Sequence, residues 1–257
     1  MKKLYLFAAA AVLLTATPAA ANGGYAGVEY GNTDLDSLGG EIDIWQGEGA
    51  YGWNNGNWGA QIGGQLGTGE FNTGGDADFY GLDGHVYFQG ATWRLGGVIV
   101  HNSLDTGGGG DLDETGYGVE GTLDVAPNFD LIGSYTIGET DFLGGDFDMW
   151  HLDAGANYYF TPNMRVGAVA GLGNIDGGGG DADTSTIGVN GEFQPWAAPV
   201  SITLAWNQYD IDDSGFDSNS FRIGARWNFG GGTLQERNDA TPFTAPVGVS
   251  GRLFGTY

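Results

Sequence analysis

Three histidines, His85, His101 and His151, are the side chains of this sequence best suited to moving protons. Two of them have an aspartate two positions away, Asp83 before His85 and Asp153 after His151. On a strand, a spacing of two puts both side chains on one face, so each pair could supply the oriented base of a nucleophilic mechanism. The nucleophile is missing. No Gly-x-Ser-x-Gly elbow occurs, and the sequence has no cysteine, which removes thiolate chemistry, disulfides and thiolate metal sites together. A histidine lining a polar interior is the simpler reading, and the chain is expected not to be an enzyme.

Carboxylates are the other chemical resource. Asp210-x-Asp212-x-Ser214-Gly215 has the first half of a calcium-loop pattern, but its twelfth position is Phe221 and supplies no closing acid. Asp176, Asp181 and Asp183 surround a run of glycines and form a second cluster. No cofactor is required by these patterns, and calcium at such loops is the only metal they suggest. The bland alternative is a solvated acidic rim.

The elements that must carry these residues are strands. From Ser220 to Phe229 the chain alternates strictly, with Phe221, Ile223, Ala225, Trp227 and Phe229 on one face and Arg222, Gly224, Arg226 and Asn228 on the other. That is the period of a strand between two different solvents. Comparable stretches are expected at 24–31, 41–53, 57–66, 78–88, 91–102, 116–125, 128–137, 148–160, 163–173, 185–194 and 200–209. Most are of the length a tilted strand needs to cross a bilayer, about 9–11 residues. The second strand alternates less cleanly around Ile42, Ile44 and Trp45, which suggests a bulge. Short connections rich in Asn-Gly and Pro (54–56, 89–90, 126–127, 161–162, 195–199) alternate with long, acidic, Gly-rich ones (32–40, 67–77, 103–115, 138–147, 174–184, 210–219). A soluble sandwich has no reason to sort its connections this way. A single antiparallel transmembrane β-barrel of twelve strands, with short periplasmic turns and long outer loops, does.

Parity then assigns faces. Trp58, Ala60, Ile62, Leu95, Ile99, Leu152, Ala154, Val166, Ala168, Leu172, Ile202, Leu204 and Trp206 should meet lipid, with Trp53, Trp58, Tyr158, Phe160, Phe193, Trp227 and Phe229 as an interfacial aromatic girdle. The lumen should carry Glu29, Glu48, Asp83, His85, Arg94, Glu120, His151, Asp153, Arg165, Glu192, Arg222 and Arg226. Charges do not face lipid cheaply, so these must meet water or one another.

The order Arg222, Gly224, Trp227, Phe229 resembles the terminal signal of Gram-negative outer-membrane β-barrels, polar-x-Gly-x-x-aromatic-x-aromatic, although 28 residues follow Phe229 here. The resemblance to the porin-like members of that family implies passive diffusion of small hydrophilic solutes. It also implies contact with outer-membrane lipid and lipopolysaccharide, and with the barrel-assembly machinery through those four residues. The acidic mouth adds an expected preference for cations. The competing reading is a non-conducting structural or adhesive barrel whose acidic loops bind divalent cations or envelope partners.

Composition agrees with export and excludes nucleic acid. Met1-Lys2-Lys3, the apolar run Leu4 to Leu14 and Ala19-Ala20-Ala21 form a signal peptide over residues 1–21, too short to span a bilayer. Its removal takes away both lysines and leaves 32 carboxylates against six arginines, a balance that speaks against nucleic acid as a partner. The barrel occupies residues 22–229. Residues 230–257 form a periplasmic tail, a plug or a thirteenth strand, and the loosely ordered tail is preferred because bacterial barrels have even strand numbers.

Overall fold

The computed structural model describes residues 23–35, 40–107, 111–142, 145–177, 180–195, 199–212, 216–230, 232–244 and 249–253. The expected signal segment and Ser214 lie outside them. Twelve strands are present: β1 (Gly23–Leu35), β2 (Gly40–Asn55), β3 (Trp58–Phe71), β4 (Asp76–Gln89), β5 (Trp93–Asp105), β6 (Asp111–Ala126), β7 (Phe129–Phe142), β8 (Gly145–Thr161), β9 (Met164–Gly177), β10 (Gly180–Phe193), β11 (Val200–Ile211) and β12 (Phe216–Phe229). Each pairs antiparallel with its sequence neighbours, and β1 closes on β12 with Gly24 opposite Phe229. Closure leaves no sheet edge, so every strand satisfies its backbone groups within the wall.

The expected strands are all found, and all of them are longer at the outer end. The acidic connections were expected to be long loops; in the structure most of their residues continue the strands as hairpins. Residues 67–77, for example, fold as the end of β3 and the start of β4, leaving Asn72–Gly75 as the turn. The reason lies in the alternation, which does not stop at the membrane boundary but exchanges its solvents. Through the belt, large apolar side chains point outward, with Trp58, Ile62, Leu95, Ile99, Leu172 and Trp227 among the exposed residues. Above it the outward positions are carboxylates, such as Glu41, Asp43, Glu70, Asp76, Asp111, Asp113, Asp141, Asp146, Asp176 and Asp181. The inward positions there are apolar. Leu35, Ile42, Ile44, Ala77, Phe79, Leu104 and Leu112 form one buried cluster, with Phe71 and Phe216 packed against it. The outer end is thus built like a soluble barrel, with a hydrophobic core and an acidic skin.

This inversion explains Ile42 and Ile44, where a bulge was expected. β2 keeps an unbroken register with β1 and β3 through these residues. Ile42 and Ile44 point into the outer core while Trp45 faces outward against Tyr30, with ring centroids 5.0 Å apart. The register shifts that do occur lie at the short-turn end, between Asp124 and Ala126 and between Tyr159 and Thr161.

The segment after Phe229 departs from the loosely ordered tail preferred on sequence. It forms two short helices, α1 (Leu234–Ala240) and α2 (Val249–Leu253). A capping box of Thr233 and Glu236 starts α1. At the short-turn rim the Leu234 N–H donates to Asn163 Oδ1 and the Gln235 N–H to the Pro162 carbonyl. Further along, Phe243 meets His85 and Tyr87, and Arg252 reaches Asp153 and Thr186. The segment climbs the lumen from the rim.

Candidate functional site: the charged lumen and its occupant

The inner wall concentrates its charge where β12, β1 and β2 meet β10 and β11. Arg226 on β12 donates from Nε to Glu48 Oε1 at 2.5 Å and from Nη2 to Glu48 Oε2 at 3.1 Å. Its Nη1 lies 3.4 Å from Glu192 Oε2, and Nη2 is 3.8 Å from Glu29 Oε1. The guanidinium also sits 4.4 Å from the Tyr25 ring centroid. Glu29 is held independently, accepting from Gln46 Nε2 at 3.0 Å and Thr203 Oγ1 at 3.0 Å, with Arg222 Nη1 at 3.5 Å. Glu192 accepts from Ser201 Oγ at 2.5 Å and lies 3.5 Å from Arg165 Nη2. Each side chain comes from an alternate position on its strand, so ordinary pleating delivers all of them to one interior. Buried charges of this kind persist only when paired and hydrogen-bonded.

A second node lies on β4 and β6. His85, fully buried, has Nε2 at 2.7 Å from Asp83 Oδ2 and Nδ1 at 2.7 Å from Glu120 Oε1. With a carboxylate on each ring nitrogen, the imidazole has no free lone pair to act as a base; it ties two strands together. The Asp83–His85 pairing expected from parity is present. The corresponding Asp153–His151 pairing is not. Among the described residues His151 has no hydrogen-bond partner on either nitrogen, and Asp153 Oδ2 instead accepts from Arg252 Nη2 at 2.8 Å. Arg94 spans β5 and α1, reaching Asp124 Oδ1 at 3.3 Å and Asp239 Oδ1 at 2.9 Å. Every residue expected in the lumen is on the inner face, namely Glu29, Glu48, Asp83, His85, Arg94, Glu120, His151, Asp153, Arg165, Glu192, Arg222 and Arg226.

A plug is one of the sequence readings of residues 230–257, but the sequence does not identify the wall residues it meets. Gln61 on β3 grips the tail backbone from both sides, Nε2 donating to the Phe243 carbonyl at 2.6 Å and Oε1 accepting the Phe243 N–H at 3.3 Å. The Phe243 ring lies nearly parallel to His85 at 5.7 Å and edge-on to Tyr87 at 5.2 Å. Arg252 donates to Thr186 Oγ1 at 2.8 Å as well as to Asp153. Arg237 bonds Gln194, and Asn238 Nδ2 donates to the Tyr159 hydroxyl at 3.2 Å. The signal that could have found this was the tail's own pair of arginines, in a chain where every other arginine is lumenal. Beside this occupant a cavity of about 130 Å³ remains at mid-barrel, lined by Glu29, Asp153, Arg165, Asn190 and Arg226, with Thr244 at its edge.

The carboxylates considered for calcium lie outside the belt, on the acidic skin. Asp176 stands opposite Asp181 across β9 and β10. Asp183 accepts from Asn174 Nδ2 at 2.9 Å, and its carbonyl accepts the Asp212 N–H. Desolvation, followed by a hydrogen bond with Asp212 and the neighbouring negative charge, raises the Asp210 carboxyl above its ordinary range. Among the described residues no three acidic or histidine side chains converge as metal ligands.

No family model matches this chain, and no curated protein does. Solved structures do. The β domain of the Bordetella autotransporter BrkA superposes with a TM-score of 0.54 at 14% identity, covering 81% of this chain and 99% of that one. The CymD monoaromatic hydrocarbon channel gives 0.52 at 8% identity, covering 90% and 93%. The KdgM porin, in a complex with disordered oligogalacturonate, gives 0.51 at 11% identity, covering 79% and 99%. At these identities the likeness carries the fold and not a function. The chain is a twelve-stranded barrel with the fold of the outer-membrane β-barrels.

Proposed function

We propose that this protein is an outer-membrane channel for small hydrophilic solutes, with a preference for cations. The observation that carries this reading is the polar interior of the membrane-spanning section. There Arg226 is suspended between Glu48, Glu192 and Glu29 beside the cavity of about 130 Å³. Twelve strands place the barrel between small ones filled by side chains and large open porins. On the wall itself carboxylates outnumber guanidiniums. Glu29, Glu48, Asp83, Glu120, Asp124, Asp130, Asp153 and Glu192 face Arg94, Arg165, Arg222 and Arg226, which favours cations in the path. The likeness to channel-forming barrels supports the same reading, and outer-membrane insertion through Arg222, Gly224, Trp227 and Phe229 is part of it.

One observation favours a non-conducting barrel instead, namely the buried apolar cluster at the outer end. Planar-bilayer recording of the purified mature chain under a salt gradient separates the two. Discrete steps with a cation-selective reversal potential support the channel. A folded barrel that stays silent across voltages, with its C-terminal segment both seated and released, supports the structural role.

A further inference from the structure

The segment after Phe229 has the features of a ligand rather than of a structural element of the wall. The barrel closes β1 on β12 without it, so the wall satisfies its own backbone whether or not the segment is present. Its attachment is a glycine run in which Gly230 and Gly232 adopt left-handed φ of 106° and 84°. Beyond the contacts of α1 at the rim, it meets the inner wall in two separated places. One is an aromatic slot, where Phe243 lies against His85 and Tyr87 while the Gln61 amide reads its backbone in both directions. The other is a guanidinium slot, where Asp153 and Thr186 take Arg252. The wall is also cut to fit. Gly23 and Gly52 stand opposite one another on β1 and β2. A methyl group at Gly52 would run into the Ala240 carbonyl, and one at Gly23 into the Ala240 side chain.

We propose that the lumen contains a peptide-recognition site, specific for an aromatic residue followed nine positions later by an arginine. In this structure the chain's own C-terminal segment occupies it, and vacating it opens the channel. The gating half rests on the channel reading; the recognition site does not. A peptide carrying the same two anchors should therefore bind in trans once the resident segment has been cut loose.

The test uses the full chain with a site-specific protease sequence inserted at the glycine run 230–232. The barrel is folded, cut and washed, and a fluorescently labelled synthetic peptide of residues 233–257 is added. Anisotropy reads binding, and bilayer recording reads conductance. The expected result is saturable binding that weakens by at least about tenfold when the peptide carries Phe243→Ala and Arg252→Glu, the loss of about 1.4 kcal/mol or more. Conductance should rise after the wash and fall again on peptide addition. Absence of saturable binding to the cut, still heat-modifiable barrel would overturn the site, as would equal binding of the altered peptide. Specific binding with silence in both states would uphold the site and count against the channel instead.

Discussion

Arg226 and Glu48 meet across a strand that separates them. Arg226 on β12 and Glu48 on β2 both stand opposite Gly27 of β1, and the guanidinium fork passes over that glycine to reach the carboxylate. A side chain at residue 27 would collide with Arg226 Cγ and Glu48 Oε1, at 2.9 and 3.1 Å from its first carbon. The closure strand pair is therefore stapled to β2 by a contact that requires the intervening residue to be bare.

Removing one partner of that contact should be costly. Arg226→Ala leaves Glu48 buried without its cation and Glu192 with Arg165 alone, a loss of about 3–5 kcal/mol for a pair this secluded. Gly27→Leu should act in the same direction by displacing the fork. Urea unfolding in detergent micelles, read by the gel shift of the unheated barrel, should show both variants unfolding at lower denaturant than the parent.

Release of the C-terminal segment can be read with trypsin. The chain has no lysine after Lys3, and Arg237 and Arg252 are both buried in the lumen. The folded parent should resist cleavage there. Gly52→Val sets a branched side chain against Ala240 and should convert Arg237 and Arg252 into the first sites cut. Mass spectrometry of the products checks this, and a variant as resistant as the parent would mean the wall yields instead of the segment.

The outer core makes a different prediction. Ile44→Asp places a charge among Leu35, Ile42, Phe79 and Leu104, where no cation is at hand to compensate it. The belt below is untouched, so the barrel should still insert and shift on heating, while the β1–β2 hairpin becomes a protease target. The same substitution at Trp45, which faces outward, should leave that hairpin as resistant as before.

The acidic skin should respond to pH. Asp113, Asp141 and Asp146 stand opposite one another in succession on β6, β7 and β8. Asp141, which lies beyond the apolar belt, is raised above the ordinary carboxyl range, first by its hydrogen bond with Asp146 and then by burial and neighbouring charge. A raised folded-state value means the folded hairpins bind protons that the unfolded ones release. Their stability is fully present below the ordinary carboxyl range and is lost as pH rises through the raised value. Limited proteolysis of the outer hairpins should slow as pH is lowered from neutral toward that range. Millimolar calcium at neutral pH should slow it as well, by screening the same opposed carboxylates.

Alternation alone determined most of this protein. The period of two in stretches such as Ser220–Phe229, and the sorting of short and long connections, specified twelve antiparallel strands. Parity then put Glu29, His85, Arg165 and Arg226 inside and Leu95, Leu172 and Trp227 outside, because a strand offers a side chain only two directions. The runs Asp111-Leu112-Asp113, Asp146–Met149 and Asp210-Ile211-Asp212 continued the same period with acid and apolar exchanged. Read by composition they pass for flexible loops; only closure of the wall showed that their apolar residues share one interior. The lumenal pairings were not legible either, since sequence fixes which face Asp153 occupies but not which cation crosses to it. Arg252 reaches it from a segment 99 residues away, a distance that strand periodicity cannot bridge and that packing inside the closed barrel decides.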